Sequence, residues 1–310
     1  MQTGVLTMSE EETKNTKEFP DELDLKAIFL NLIDNKNFLF WGTALFAIIA
    51  IIFSLLASEK WTSSTLLTPV STSSVGGSSS VGGLASLAGV SLGKGSNNSS
   101  SKAVATITSR DFLRHLMKFD GVLENLMAFE SYDASSKKSI FVDALFNADT
   151  GKWVDDKKPT AYKTYEVYRG ILSTRTSKNS GFVTITVEHG SPVYAKKFLD
   201  LIIQEVNNLS RQRDIDETNA SLAYLYNELD LVQQSDVQIA VSQLIEGQLK
   251  KQMMANVKTH YTLQPIDSPF VPELRSSPQR TKLVVSWTLL GFFLSLMFVL
   301  ISEYTKKYFK

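Results

Sequence analysis

Two long stretches without a charged residue constrain the fold of this chain more than any other feature. They are FLFWGTALFAIIAIIFSLLA at residues 38–57 and LVVSWTLLGFFLSLMFVLI at residues 283–301. About twenty apolar residues in an α-helix cross the hydrocarbon core of a bilayer, and each stretch is close to that length. The first stretch lies behind an acidic head and is too long for the apolar region of a signal peptide. We therefore predict two transmembrane helices.

The two predicted spans divide the chain into two short tails and one large loop. Residues 1–37 and 302–310 lie on one side of the membrane, and residues 58–282 lie on the other. Basic residues near the spans are almost balanced between the two sides, so their distribution leaves the orientation open. The chain has no cysteine, which is compatible with an oxidising compartment but does not require one. The loop is the working part, because the tails are too short to form a domain.

Strand and helix signals alternate along the first half of the loop. β-Branched residues predict a strand at 61–70, and alternation on both sides of a Lys-Asn-Ser-Gly turn predicts a β-hairpin at 172–189. Helical spacing predicts helical structure at 103–127, with Ser109 as an N-cap, and at 162–172. This order of elements predicts a mixed α/β base.

Two stretches of the loop have weak secondary-structure signals. Residues 71–101 are mostly Ser, Gly and Asn, which predicts a flexible insertion with a short apolar centre. Residues 130–160 are charged and predict irregular structure.

A long helical arm is predicted over residues 192–256. Ser191 supplies an N-cap and Pro192 a first helical residue. The first half of the helix carries an apolar stripe that suits packing on a sheet. Beyond Arg213 the apolar residues follow heptad spacing, with Thr218 at one core position. The heptad residues are Ile215, Leu222, Leu225, Leu229 and Val232.

The arm is predicted to return as a second, antiparallel helix. A polar turn at 233–236 interrupts the heptads, and Ser235 or Asp236 is the candidate cap. The apolar residues of the second helix are Val237, Val241, Leu244 or Ile245, Leu249 and Met253. A strand at 257–266 then leads back to the base. Two helices bury only one stripe, so we expect neighbouring copies to assemble around the arm. The alternative is a plain hairpin within a monomer.

Four of the eight prolines lie just before the second span, in PIDSPFVPELRSSPQR at residues 265–280. They are Pro265, Pro269, Pro272 and Pro278. Proline fixes φ and removes a backbone donor, so this proline segment should be extended and stiff. It is either a spacer that fixes how the base sits over the membrane or an ordinary linker.

The second span contains a weak signal for close helix packing. Gly291 and Ser295 form a small-xxx-small pair, and Ser286 precedes them by five residues. Small residues let two helices approach closely in a membrane.

Signals for catalysis, metal binding and nucleic-acid binding are lacking in the sequence. His115, His189 and His260 have no metal-ligand spacing, and each is predicted to be structural. The stretch GVSLGKGS fails the phosphate-loop pattern in its glycine spacing and in the residue after Lys94. Basic residues are scattered and balanced by acids, so the sequence shows no basic patch of the kind that binds nucleic acid. We predict that the protein is not an enzyme and has no cofactor.

The whole organisation resembles the Wzz-type chain-length determinants, the polysaccharide co-polymerases of bacterial inner membranes. The resemblance covers nearly the whole chain and depends on the order of loose motifs between two terminal spans. The stretches that carry it are DELDL at 21–25, LASLAGVSLG at 84–93, ITSRDFL at 107–113, the strand and helix at 182–215, and the return helix with the proline segment at 244–273.

The resemblance implies a function that the residues alone do not give. It implies a periplasmic loop, ring-shaped homo-oligomers and arms that point away from the membrane. It implies a non-catalytic scaffold that sets the modal length of O-antigen or a related lipopolysaccharide-type polymer made by a Wzy-type polymerase. The nascent lipid-linked polysaccharide is a candidate contact.

The sequence departs from the family pattern at three points. The second span lacks a second glycine four residues from Gly291, which puts tight glycine-mediated span packing in doubt. The arm is short for the family. The tail after Ile301 is too short for the tyrosine-kinase extension of the capsule and exopolysaccharide subgroup.

Other functions stay open at this stage. The chain fits an export adaptor for capsule or exopolysaccharide that works with a separate kinase or exporter. A two-span extracytoplasmic sensor is a further alternative, although the tails contain no output module. An efflux-pump adaptor fits less well, because adaptors of that kind usually have one anchor.

Overall fold

The computed structural model describes residues 33–70, 95–154 and 157–308. In chain order its elements are α1 (Lys36–Leu56), β1 (Trp61–Pro69), α2 (Gly95–Ile107), α3 (Arg110–Leu116), α4 (Val122–Met127), β2 (Phe129–Asp133), β3 (Lys138–Phe141), β4 (Phe146–Asn147), β5 (Lys152–Trp153), α5 (Ala161–Ile171), β6 (Leu172–Thr176), β7 (Val183–His189), α6 (Pro192–Leu231), α7 (Ser235–Val257), β8 (Leu263–Asp267) and α8 (Arg280–Tyr308). They form two compact units: α1 with α8, and a loop domain over Ser58–Pro278.

Helices α1 and α8 are both long and apolar enough to cross a membrane. Their aromatic side chains show that the pair is antiparallel. The rings of Phe38 and Phe298 stack at 5.1 Å, and those of Phe53 and Trp287 at 6.4 Å. The start of α1 therefore lies beside the end of α8.

The loop domain is built on a four-stranded antiparallel sheet with the order β6-β7-β1-β8. Strand β7 alternates buried and half-buried residues along its length, as a strand with one covered face should. Val183, Ile185 and Val187 point into a core that is completed by α2, α3, α5 and the first half of α6. The predicted mixed α/β base is confirmed.

Helix α6 changes partner along its length. Ser191 caps it by accepting a bond from the Tyr194 N–H at 3.3 Å, as predicted. Phe198, Ile202 and Val206 are buried against the sheet. Beyond about residue 214 the helix packs against α7, where a separate small cluster forms around Leu222. The predicted antiparallel helical hairpin is confirmed.

The prediction of a flexible insertion over 71–101 is wrong for its last residues. Residues 71–94 lie outside the described part of the chain, but α2 already begins at Gly95. Ser100 is buried and donates to the Gly181 carbonyl at 2.5 Å, while Ala103 and Ile107 enter the core. Tertiary contacts here outweigh the poor helix propensity of Ser and Asn.

Three other boundaries differ from the prediction. The stretch 103–127 is divided among three helices, and Ser109 caps the second by accepting from the Phe112 N–H at 3.1 Å, as predicted. The stretch 130–160, predicted to be irregular, contains two short antiparallel hairpins, β2-β3 and β4-β5. Helix α7 has Gln234 as its N-cap residue rather than Ser235 or Asp236.

The return strand is also shorter than predicted. Helix α7 continues to Val257 and β8 begins only at Leu263. The backbone N–H groups of residues 261 to 263 donate to the side chain of Asn207, so this part of the chain is held by a helix side chain.

Candidate functional site

One buried asparagine ties the long helix to the returning chain. Asn207 Oδ1 accepts bonds from the N–H groups of Tyr261, Thr262 and Leu263 at 3.0, 2.7 and 3.0 Å. Its Nδ2 donates to the carbonyls of Ile203 and Leu263, both at 2.9 Å. Every polar atom of the side chain is bonded, as a buried amide requires. The entry of the chain into β8 is thereby fixed relative to α6.

Charged and phenolic side chains extend this contact toward the arm. Arg211 Nη2 donates to the carbonyls of Lys258 and Thr259, each at 2.8 Å, just after α7 ends. Asp214 accepts from the Tyr261 hydroxyl at 2.6 Å, and Lys251 Nζ lies 3.3 Å from the same carboxylate. We call Asn207, Arg211, Asp214, Lys251 and Tyr261 the joint. It links both helices of the arm to the last strand of the base.

The hydroxyl of Tyr261 acts as a fixed donor in the joint. Burial raises its pKa, and the hydrogen bond to Asp214 raises it further. The phenol therefore stays protonated and keeps its bond to the carboxylate at any physiological pH.

A small cavity of about 100 Å³ opens beside the joint. Its polar lining includes Ser99, Lys102, Ser210, Arg213 and Tyr261. This volume accommodates a few water molecules.

The proline segment runs along β1 and is bonded to it through hydroxyl groups. Ser63 Oγ donates to the Phe270 carbonyl at 2.8 Å, and Thr65 Oγ1 donates to the Asp267 carbonyl at 2.5 Å. Ser63 and Thr65 are buried, although both are polar. The two hydroxyls of β1 thus hold the carbonyls of Asp267 and Phe270 through side-chain hydrogen bonds.

The end of the proline segment is held by backbone bonds. Lys60 N–H donates to the Ser277 carbonyl at 2.9 Å, and Ser276 N–H donates to the Lys60 carbonyl at 2.9 Å. Glu59 and Arg275 form an ion pair beside this bridge. The two ends of the loop domain are therefore joined to each other.

The four prolines occupy different environments within this arrangement. Pro265 lies in β8 opposite Leu67. Pro269 and Pro272 are buried, and Pro278 is half-buried. The proposed role of these residues as a spacer over the membrane stays a prediction.

The packing of the span pair depends on a glycine from each helix. A Cβ built on Gly291 would lie 2.5 Å from Cβ of Phe46, and one built on Gly42 would lie 2.2 Å from Oγ of Ser295. Helix α8 lacks a second glycine four residues from Gly291, and Gly42 of α1 supplies the second close approach instead. Ser295 is buried in this contact, whereas Ser286 is exposed on the outer surface of α8 and takes no part in it.

The seam of the arm is only partly apolar. Of the predicted heptad residues, Leu222 is buried, Leu225 and Leu229 pack against it, and Ile215 and Val232 are half-buried. Thr218 is buried, and its hydroxyl has no hydrogen-bond partner in the described residues.

On α7 the structure selects Ile245 rather than Leu244. Val241 and Ile245 face the seam, and the remaining predicted apolar residues of this helix are exposed: Val237, Leu244, Leu249 and Met253.

Two histidines have structural bonds. His115 Nε2 donates to the buried carboxylate of Glu205 at 2.6 Å. His189 Nε2 donates to the Asn125 carbonyl at 2.9 Å, and its Nδ1 accepts from the Ser191 N–H at 3.0 Å. Burial lowers the pKa of His189, so its ring is neutral. Within the described ranges, no group of three His, Asp or Glu residues is arranged to hold a metal ion.

Sequence reasoning missed the joint, although one signal for it was present. Leu199, Ile203 and Asn207 follow one another at spacings of four on the face of α6 that packs into the core. A polar residue that continues an apolar line is a candidate for a buried, fully bonded side chain. Four of its five bonds were not visible, because they join it to backbone groups more than 50 residues away.

Comparison with known proteins gives the following matches. Residues 21–118 match a protein family described as Wzz, chain length determinant protein. No curated protein sequence matches the chain. A solved full-length bacterial polysaccharide co-polymerase is similar at 15% identity over 93% of this chain and 99% of that chain, with a TM-score of 0.38.

A mutant form of the Shigella flexneri lipopolysaccharide O-antigen chain-length regulator is similar at 13% identity. The match covers 70% of this chain and 100% of that chain, with a TM-score of 0.18. The match to the Wzz family over residues 21–118 confirms the resemblance for that part of the chain.

Proposed function

Because residues 21–118 match the family of Wzz chain length determinants, we propose that this protein is a non-catalytic regulator of the chain length of a bacterial surface polysaccharide, O-antigen or a related polymer. It acts as an oligomeric scaffold in the inner membrane, with its loop domain in the periplasm and a Wzy-type polymerase as its partner. The observation that carries the proposal is the family match, which spans α1, β1, α2 and α3.

The arm supports assembly with other copies. Its inner seam buries few apolar side chains and includes the hydroxyl of Thr218, which has no partner in the described part of the chain. Meanwhile Leu244 and Met253 are exposed on the outside of α7. A two-helix hairpin with this distribution gains little from its own core, and contact with neighbouring copies would cover the outer residues.

The joint and the proline segment support a scaffold role. Both contain hydrogen bonds between distant parts of the chain, such as those of Asn207 and Ser63. Networks of this kind hold one geometry. A protein that measures polymer length without chemistry needs a fixed shape more than it needs a reactive group.

The first test is the length distribution of surface polysaccharide from cells with and without the gene. We expect that deletion replaces a modal cluster of long chains on a gel with a spread of shorter chains, and that the full chain restores the cluster. An unchanged ladder would refute the proposal for this polymer. The next candidate would then be capsule or exopolysaccharide export with a separate kinase.

Substitutions test whether the scaffold sets the length. Pro272→Ala with Pro278→Ala should move the modal length without stopping synthesis, because these residues stiffen the proline segment. The matched control is Pro159→Ala, because Pro159 lies outside the proline segment. If the double variant and the Pro159→Ala control gave the same polysaccharide length, the proline segment would have no part in setting that length.

Oligomerisation is tested by the mass of the detergent-purified protein. We expect a homo-oligomer, and we expect Met253→Glu on the outer face of the arm to weaken it. If the detergent-purified protein had the mass of a monomer, the scaffold model would be contradicted.

A further inference from the structure

The proline segment exposes large apolar side chains that its own fold cannot cover. Phe270, Val271 and Leu274 are 51%, 43% and 84% exposed, whereas Pro269 and Pro272 between them are buried. The backbone here is fixed by proline and by the bond from Ser63 to the Phe270 carbonyl. The segment therefore cannot turn these side chains inward without losing the contacts that hold it.

Chain length places this segment close to a bilayer. Leu274 is six residues before the start of α8, which is at most about 20 Å of fully extended chain. Lys60, bonded to Ser276 and Ser277, is four residues after the end of α1, or at most about 14 Å. Both connections to the membrane helices thus leave from the same bridge.

Paired charges accompany the exposed apolar side chains. Arg275 follows Leu274 and pairs with Glu59, while Lys60 lies across the bridge with its Nζ 3.9 Å from Glu188 Oε1. Such a combination suits the boundary between lipid head groups and acyl chains, where the apolar side chains insert and the charged groups stay near water.

We propose that Phe270, Val271 and Leu274 insert into the head-group layer of the membrane and form a lipid contact of the loop domain in addition to the spans. The occupant is lipid rather than a second copy, because three side chains on an irregular segment are far fewer than a stable protein interface requires. The proposal depends on α1 and α8 crossing the bilayer, but not on the regulation of polysaccharide length.

The absence of cysteine in the native chain allows a direct test. Single variants Phe270→Cys and Leu274→Cys of the full chain carry a nitroxide label in phospholipid nanodiscs. Collision with oxygen, which concentrates in lipid, is compared with collision with a water-soluble nickel chelate. Controls are Ile140→Cys and Leu231→Cys, which are 46% and 75% exposed in other parts of the loop domain, and Leu289→Cys on the exposed face of α8.

We expect labels at positions 270 and 274 to collide with the nickel chelate several-fold less often than labels at 140 and 231. Their collision rate with oxygen should be higher than at those two positions. Values equal to those at 140 and 231 would overturn the proposal. Low collision with both reagents would also overturn it, because that pattern means cover by protein. If the label at 289 failed to report lipid, membrane anchoring itself would be refuted. None of these outcomes depends on the polysaccharide assay, so the two proposals can fail separately.

Discussion

Removal of the Asn207 side chain should open the joint. Asn207→Ala leaves three backbone N–H groups, those of residues 261 to 263, without their acceptor. An unsatisfied buried donor costs about 1–3 kcal/mol, but part of that cost is recovered when water enters. We therefore expect the local opening free energy to fall by about 3 kcal/mol, which corresponds to roughly 150-fold in an equilibrium constant.

Hydrogen exchange of the full chain, followed by mass spectrometry, measures this opening directly. Peptides that contain residues 259–265 should exchange about two orders of magnitude faster in Asn207→Ala than in the wild type. Asn219→Ala is the matched control, because Asn219 is exposed on the same helix and has one side-chain bond, from Gln252. It should leave the exchange of residues 259–265 unchanged.

A second variant tests whether the effect of the substitution at position 207 is local rather than a general loss of structure. Asn207→Asp keeps an oxygen that can accept from the three N–H groups but places another opposite the carbonyls of Ile203 and Leu263. Its effect should also be confined to residues near the joint, with β7 still protected. Less than fivefold acceleration in Asn207→Ala, or equal acceleration in the control, would refute the assignment of Asn207 as the main tie.

Three further predictions concern other parts of the molecule. Because burial lowers the pKa of His189 below its ordinary 6.5, the stability that its neutral ring provides is present above about pH 6.5 and is lost as the pH falls through the folded-state pKa. Thermal unfolding should show this loss in the wild type, and an identical pH profile in His189→Gln would contradict it. Gly291→Leu should separate the span pair and abolish a disulfide between cysteines placed at Phe38 and Phe298, whereas the exposed Ser286→Leu should preserve it; equal cross-linking in both would refute the close contact. Thr218→Val should stabilise the arm by about 1 kcal/mol, seen as slower exchange in α7, because it replaces an unpartnered buried hydroxyl with a methyl group; faster exchange would show that the hydroxyl has a partner.

The parts of the fold that sequence could predict are those with a local signal. The two long apolar helices, α1 and α8, follow from uncharged stretches of sufficient length, and α6 begins where Ser191 and Pro192 predict it. The hairpin β6-β7 follows from alternation about a turn. Each of these signals lies within a short window, so distant residues were not needed to interpret it.

The parts that sequence could not predict depend on distant partners. Gly95 to Ser101 is helical because Ser100 bonds to Gly181, about 80 residues away. The choice of Ile245 over Leu244 depends on how α7 rotates against α6, and apolar residues on several faces of α7 left that rotation undetermined. The hydroxyls of Ser63 and Thr65 gave no local sign that they bond to the carbonyls of Phe270 and Asp267, about 200 residues away.

The position of β1 has a consequence for how the protein is made. The first strand of the loop domain lies between β7 and β8, and its pairs with β8 join residues about 200 positions apart in the chain. At a synthesis rate of about 5–20 residues per second, β1 waits roughly 10–40 s before its last neighbour exists. Such non-local pairing is intrinsically slow, and an unpaired strand edge invites pairing with other chains. A nascent chain that stops before Leu263 would expose this edge, so completion of the sheet is delayed almost until α8 is synthesised.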